Sequence, residues 1–218
     1  MASIERMWCG RLLVGGFGAF MIGAVFWRLE FQAPAAADAL RSIAEHHTVW
    51  LWIHGWLALG TVIAIAGLIA WAEIQRQAGE RLATPIGAML FAVGALLWLA
   101  AIGIRVTVED WAAGETIKGA IPAIYHPLHH LAGVFYAAHM ILAYGSAILL
   151  GLGVLRSKIL PDRLGKAGLI CGAMFLAGFL VFAGGPFGMP FLAQLYTFAL
   201  GLTLLRASVP SRMPPNDP

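Results

Sequence analysis

Long apolar segments separated by short polar stretches dominate the pattern along this chain. Six of them cover residues 7–27, 48–72, 83–104, 131–155, 164–184 and 188–206. A helix that crosses the hydrocarbon core of a bilayer needs about 20 mostly apolar residues. The pattern therefore predicts an all-α, polytopic membrane protein, with six transmembrane helices in a single domain over residues 1–206.

The last two segments are shorter than the others and are joined by the sequence GGPFGMP at residues 184–190. Clusters of Gly and Pro mark tight turns, so we expect these two segments to form a short helical hairpin beside the first four helices. Residues 207–218 are polar and rich in proline, which predicts a cytoplasmic tail without a packed core.

The composition agrees with lipid as the main solvent of this chain. Hydrophobic residues make up 60% of the 218 positions and charged residues 11%, whereas a soluble domain carries about 25% charged residues. The net charge of +3 is small and dispersed, so no nucleic-acid partner is expected. Cys9 and Cys171 lie far apart and form no CxxC motif, so they indicate neither a disulfide framework nor a cysteine zinc site.

The basic residues are distributed unevenly between the two sides of the predicted membrane domain. One side carries Arg6, Arg11, Arg76, Arg81, Arg156, Lys158, Arg163, Lys166, Arg206 and Arg212, and the other carries Arg28, Arg41, Arg105 and Lys118. Cytoplasmic loops carry the excess of Lys and Arg. Both termini are therefore predicted to lie inside, in a bacterial cytoplasmic membrane, and the longer loops 28–47 and 105–130 to face outward.

The first apolar segment also has features of a signal peptide. It follows basic residues, and the sequence APAAADA at 33–39 resembles a cleavage site. Because Arg28 and Glu30 separate the segment from that site, and because the segment is long enough to span, it is predicted to be a retained first helix.

The first two predicted helices resemble the third and fourth in the order of their features. The first helix ends near Arg28 and the third near Arg105, and acidic residues follow each arginine. Each outer loop then holds a stretch of helical composition, at 36–45 and 114–124, and ends in a pair of histidines. A two-helix unit returns to the same side, so this pattern predicts a parallel repeat about an axis along the membrane normal.

All seven histidines lie in two stretches, EHHTVWLWIHGW and YHPLHHLAGVFYAAH, at the starts of the second and fourth helices. His54 follows His47 on the same face and lies roughly 10 Å below the start of its helix. His139 lies roughly 13 Å below His130. His54 and His139 are therefore predicted to face each other at similar depth, beneath a shallower layer of histidines at the outer interface.

Neutral imidazole is a ligand of b-type haem and of copper, iron and zinc. Two histidines on adjacent helices predict a bis-histidine haem b near the outer leaflet, ligated by His54 and His139, with Arg28 and Arg105 paired to its propionates. An alternative interpretation makes the histidine layers a metal site. The candidate metal ligands are His47, His54, His130 and His139.

The histidines also have interpretations without a cofactor. His, Trp and Tyr are enriched at membrane interfaces, and this role is favoured for the shallow histidines. For His54 and His139, a hydrogen bond between helices is as compatible with the sequence as a ligand role.

His126 precedes Pro127 and is predicted to lie in a bend outside the helix. Glu80 has the context of a solvated charge. The predicted segments hold no buried acid, which disfavours a proton-coupled transporter.

The chain resembles a loose group of uncharacterised bacterial six-helix integral membrane proteins. The resemblance rests on VWLWIHGWLALGTVIAIAGLIAWAE in the second helix, DRLGKAGLICGAMFLAGF at the fifth, and VEDWAAGETIKGAI in the second outer loop. It covers most of the chain and implies the six-helix topology, but it implies no activity.

Three classes of function remain open from the sequence. The first is an electron-transfer protein that holds haem b. The second is an accessory subunit that docks on a larger respiratory or photosynthetic membrane complex, and the third is a transporter or metal-handling protein that uses the histidine layers. No hydrolase, metalloprotease or phosphate-loop motif is present, so no catalytic residue or reaction is assigned, and membrane lipids are the expected partners.

Overall fold

The structure is a computed structural model that describes residues 2–182 and 185–208. All regular secondary structure in these residues is helical, and five of the helices are long and apolar enough to cross a membrane. The all-α class is therefore confirmed, and the five long apolar helices are consistent with a multi-pass membrane protein. The predictions made for Arg212 and for residues 209–218 of the tail lie outside the described residues.

Eight α-helices occur in the described residues. They are α1 (Ala2–Val25), α2 (Ala36–Glu45), α3 (His47–Gln77), α4 (Ala83–Ile104), α5 (Asp110–Ile117), α6 (Tyr125–Ser157), α7 (Asp162–Val181) and α8 (Leu192–Ser208). Short 3₁₀ turns occupy Leu29–Gln32 and Gly185–Gly188, and a π-helical turn occupies Arg105–Glu109. The predicted short helix at 36–45 is confirmed as α2. The predicted sixth span corresponds to α8. This helix has 17 residues and is shorter than each of the five helices that could cross a membrane.

The predicted outer loop over residues 105–130 is largely helical instead. The π turn joins α4 to α5, so that Ala83–Ile117 forms one continuous helix of 35 residues. No proline interrupts this stretch after its first turn, and the apolar positions continue through Ala112 and Ala113, which are buried. Only residues 118–124 connect this helix to α6, so the helical stretch predicted at 114–124 ends early, at Ile117.

Pro127 does not end a helix, which corrects the prediction that His126 lies in a bend outside α6. Helix α6 begins at Tyr125, and Pro127 falls within its first turn. The backbone nitrogens of a first turn have no partner inside the helix, so a residue that lacks an N–H is tolerated there. His126 therefore lies on the helix, with its side chain exposed.

The helices pack mainly in pairs. The most extensive contacts join α1 to α3 and α4 to α6, while α7 packs on α6, α8 packs on α1, and the short helices α2 and α5 pack on each other. The two pairs match the arrangement that a repeat predicts, and the repeat itself remains a prediction. Helices α7 and α8 touch over very few residues, so they do not form the closely packed hairpin expected from the sequence.

Glycines allow the closest of these helix pairs to form. A Cβ added to Gly60 of α3 would lie 2.4 Å from the backbone nitrogen of Phe20 on α1, and one added to Gly151 of α6 would lie 2.6 Å from the carbonyl oxygen of Gly165 on α7. Real Cβ atoms do not approach so closely, so each contact requires a residue without a side chain. Small residues have this role at helix contacts in membranes, where backbones must approach each other.

Glu80 in the connection between α3 and α4 is buried, which corrects its interpretation as a solvated charge. The side chain is 6% exposed, and its carboxylate accepts hydrogen bonds from the backbone nitrogens of Leu82, Ala83 and Thr84 at 3.1, 2.9 and 2.7 Å. These nitrogens belong to the start of α4, where no helical carbonyl can reach them. Glu80 therefore acts as the N-terminal cap of α4.

Candidate functional site

A buried acid lies in the π turn between α4 and α5. Glu109 is the last residue of this turn and is only 3% exposed. The turn follows Gly103, whose carbonyl oxygen accepts a hydrogen bond from Thr107 Oγ1 at 2.7 Å. Single π turns inside α-helices are rare and occur frequently at functional sites. A carboxyl group buried in this way requires a polar partner, because removing an unpaired charge from water is costly.

His129 of α6 supplies the partner of Glu109. Its Nδ1 lies 2.8 Å from Glu109 Oε1, and the hydroxyl of Tyr125 lies 3.5 Å from the same ring nitrogen. The Glu109 side chain is 4% exposed and that of His129 is 52% exposed. The pair therefore links a buried carboxyl group to the surface. It lies at the end of the bundle where α3 and α6 begin and α1 ends, which we call the histidine end.

A second histidine–carboxylate pair lies next to the first. His47 Nε2, at the start of α3, is 3.1 Å from Asp110 Oδ1. Both side chains of this pair are more accessible to water than Glu109. Glu109 and Asp110 are consecutive residues at the junction of the π turn and α5. Through them, this junction contacts the beginnings of both α6 and α3.

His54 lies deeper on α3 and is 1% exposed. Its Nδ1 lies 2.8 Å from the backbone carbonyl oxygen of Trp50, four residues earlier. A carbonyl oxygen only accepts, so this bond assigns the ring proton to Nδ1 and leaves a lone pair on Nε2. That Nε2 has no hydrogen-bond partner among the described residues. The Trp50 and Trp27 rings pack against the imidazole, with centroids 4.1 and 5.6 Å away.

His139 on α6 is completely buried, with 0% exposure. Neither of its ring nitrogens makes a hydrogen bond of good geometry within the described residues. Trp98 of α4 stacks on the imidazole, with a centroid distance of 5.8 Å and an interplanar angle of 19°. His139 and His54 therefore share one environment, in which a buried imidazole packs against tryptophan and keeps at least one free nitrogen.

The packing around these histidines leaves no open space at their free ring nitrogens. A haem ligated by His54 and His139 needs open space beside the ligating nitrogen of each ring for a flat macrocycle. The free nitrogens are closed off even from water, while Trp50 packs at a tilt against the His54 ring and Trp98 stacks on the His139 ring. Ligation of haem by this pair would therefore require the surrounding side chains to move.

The two arginines predicted to bind haem propionates lie in different settings. Arg28 lies at the surface with its Nη1 3.6 Å from Glu30 Oε2, and it lines an open cleft together with residues of α2. That cleft includes neither His54 nor His139. Arg105 is half-buried in the π turn, which contacts α3, the helix that carries His54. The structure therefore brings Arg105, but not Arg28, towards a predicted ligand.

The four histidines predicted as metal ligands are not gathered into one group. His47 contacts Asp110, His130 is exposed, and His54 and His139 are buried. Within residues 2–182 and 185–208, no three His, Cys, Asp or Glu side chains are placed so that they could hold a metal ion.

The contact between Glu109 and His129 was not predicted from the sequence. Glu109 was assigned to an outer loop and His129 to the membrane interface. The available signal was the uninterrupted helical pattern from Ala83 to Ile117, which has no proline between Pro85 and the connection at 118–124. That pattern places Glu109 within a long apolar helix, where an ionisable residue usually marks function.

Comparison with known proteins adds no relative. No family model, curated protein or solved structure matches this chain.

Proposed function

We propose that this protein is a proton-translocating membrane protein, in which Glu109 is the residue that binds and releases the proton. This proposal gives a specific ion to the transporter alternative. Its main support is the contact between buried Glu109 and half-exposed His129, which lie on two different helices that are long and apolar enough to cross a membrane. Chains of Asp, Glu and His side chains are the usual proton relays of membrane pumps and transporters.

The geometry supports a simple proton transfer. Histidine changes its charge near neutral pH and has two ring nitrogens that exchange protons separately. A proton from water binds to Nε2 of His129, and the proton on Nδ1 passes to Glu109 Oε1, 2.8 Å away. One proton enters and one leaves the imidazole, so the ring returns to its neutral form. The product is a neutral carboxylic acid, which is less costly to bury than a carboxylate.

His54 is the group that we expect to receive the proton from Glu109, on a path towards the membrane interior. The π turn that carries Glu109 contacts α3, and Nε2 of His54 on α3 is buried without a partner among the described residues. The lone pair of that nitrogen is the only acceptor position left on the His54 ring.

Proton flux into liposomes tests this proposal. The purified protein is reconstituted into vesicles loaded with a pH-sensitive dye, and the internal pH is followed after an external acid step with a potassium diffusion potential. We expect flux above that of empty vesicles. Glu109→Gln keeps the size of the side chain but cannot bind a proton, so it should lower the flux about tenfold or more. His129→Asn can still hydrogen-bond to Glu109 and should also lower the flux.

Glu115→Gln is the matched control. Glu115 lies on the same continuous helix, but it is partly exposed and paired with Lys118 at 2.8 Å, so its substitution should leave the flux unchanged. A purely structural pair of Glu109 and His129 would lower the melting temperature in Glu109→Gln without changing flux per folded molecule. Equal flux in the wild type, Glu109→Gln and empty vesicles would refute the proposal.

Haem-dependent electron transfer is the second candidate, and one observation favours it. The free ring nitrogens of His54 and His139 are chemically suited to an axial ligand, although Trp50 and Trp98 would have to move. An absorption spectrum of the purified protein with and without dithionite decides between the two. A Soret band with sharp bands on reduction, lost in His54→Ala or His139→Ala, supports haem, and a featureless spectrum of folded protein excludes it.

A further inference from the structure

An open cleft lies at the end of the bundle opposite to the histidine end. It is formed where the connection between α3 and α4 meets the last turn of α6. Its lining residues are Ala78, Gly79, Glu80, Arg81, Leu82, Arg156 and Ser157. The distribution of basic residues predicts that this end is cytoplasmic. The cleft is independent of the proposed proton relay.

Two arginines without an ion partner face this cleft. Arg81 and Arg156 are both exposed, and neither makes a salt bridge within the described residues. Two further basic residues close to the cleft, Arg76 and Lys158, are already paired. Arg76 contacts Glu73 at 2.7 Å and Lys158 contacts Asp162 at 2.9 Å. The cleft therefore concentrates positive charge that no neighbouring acid neutralises.

Glu80 also lines the cleft, but its charge is directed elsewhere. Its two carboxylate oxygens accept the backbone N–H groups of residues 82–84 at the start of α4. These donors carry the positive end of the helix dipole, so they compensate the negative charge of Glu80. The arginines are left to bind an anion that comes from outside the chain.

We propose that this cleft binds the phosphate group of an anionic phospholipid. Guanidinium groups bind phosphate oxygens with two parallel hydrogen bonds, and Ser157 supplies a hydroxyl group beside them. The apolar side chain of Leu82 is 60% exposed at the same cleft, where it can contact an acyl chain. This combination favours a lipid over free phosphate. Basic pockets between transmembrane helices at the cytoplasmic surface are known sites for such head groups.

The test measures lipid binding by the full chain in detergent after extensive washing to remove bound lipid. Phosphatidylglycerol and phosphatidylcholine are added separately, and binding is followed by native mass spectrometry and by the melting temperature. Phosphatidylglycerol should bind more tightly. Each arginine near an anionic head group contributes about a factor of five, so Arg81→Gln with Arg156→Gln should weaken phosphatidylglycerol binding about 25-fold. Phosphatidylcholine binding should weaken much less, because its choline group offsets the charge of the phosphate.

The control variant removes the same amount of charge at the same end but outside the cleft. Arg163→Gln with Lys166→Gln should bind phosphatidylglycerol within about twofold of the wild type. Equal weakening in both double variants would show that general charge attracts the lipid and would overturn the proposal. Stabilisation by inorganic phosphate equal to that by phosphatidylglycerol would also overturn it, because the ligand would then be free phosphate. The melting temperature without lipid verifies that each variant is folded.

Discussion

Glu80 and Glu109 show two ways in which this chain buries a carboxyl group. Glu80 receives backbone N–H groups at the start of a helix, so its charge stays compensated and fixed. Glu109 has an imidazole as its partner, and that partner can itself gain or lose a proton. The first arrangement suits a structural role, whereas the second suits proton exchange. The type of partner, more than the degree of burial, separates the two roles.

At the residue scale, the capping role of Glu80 gives a prediction about pH. Burial raises the pKa of Glu80, but its hydrogen bonds to the backbone outweigh burial and hold the pKa below its ordinary value. A lowered pKa in the folded state means that the stabilisation is present above the unfolded pKa of about 4.3 and is lost as the pH falls through the folded value. Glu80→Gln should therefore cost about 1 kcal/mol at neutral pH.

Melting temperatures in detergent between neutral and acidic pH test this expectation. The difference between the wild type and Glu80→Gln should be largest at neutral pH and should shrink below about pH 4. Glu73→Gln is the control, because Glu73 makes an exposed pair with Arg76 and such pairs contribute about 0–1 kcal/mol. A difference between the wild type and Glu80→Gln that does not change with pH would contradict the capping role.

At the scale of elements, the apolar pattern predicted where the membrane helices lie, but it did not predict all their ends. Helix α2 was found from its composition at the predicted residues. The continuation of α4 through Arg105 and Glu109 was missed, since charged residues after an apolar run normally mark the exit from the membrane. Glu109 does not follow this rule, because the π turn directs its side chain towards His129 on α6. Pro127 was misread because its position within the first turn depends on where α6 begins.

The close crossing of α1 and α3 gives a prediction at the same scale. Gly60→Ala would place a Cβ against the backbone nitrogen of Phe20 and the carbonyl oxygen of Gly16, and backbone atoms cannot move away without separating the helices. We expect a loss of about 1–3 kcal/mol, as for overpacking in a core. A fall in the melting temperature of the purified protein in detergent is the corresponding measurement.

Gly55→Ala is the matched control on the same helix. Its Cβ would meet no atom within 4 Å, and alanine has the higher helix propensity by about 1 kcal/mol. This variant should therefore melt at the wild-type temperature or above it. Equal melting temperatures for Gly60→Ala and Gly55→Ala would mean that α1 and α3 do not approach each other as closely as the structure indicates.

At the scale of the whole molecule, the candidate site is assembled from three helices. The continuous helix of α4 and α5 supplies Arg105 and Glu109, α6 supplies His129, and α3 supplies His54. The sequence indicated that the histidines are candidate functional residues and that they lie near one membrane face. It could not indicate which acid each histidine contacts, since the partners Glu109 and His129 are brought together only by packing of α4 on α6.

The most direct test of this account is an infrared difference spectrum of the protein in lipid between neutral and acidic pH. A protonated carboxyl group gives a C=O band that is separate from the bands of a carboxylate. We predict that a band from a buried carboxyl group appears on acidification in the wild type and in Glu115→Gln, and is missing in Glu109→Gln. The same band in all three proteins would show that Glu109 does not exchange its proton, and it would contradict the central claim.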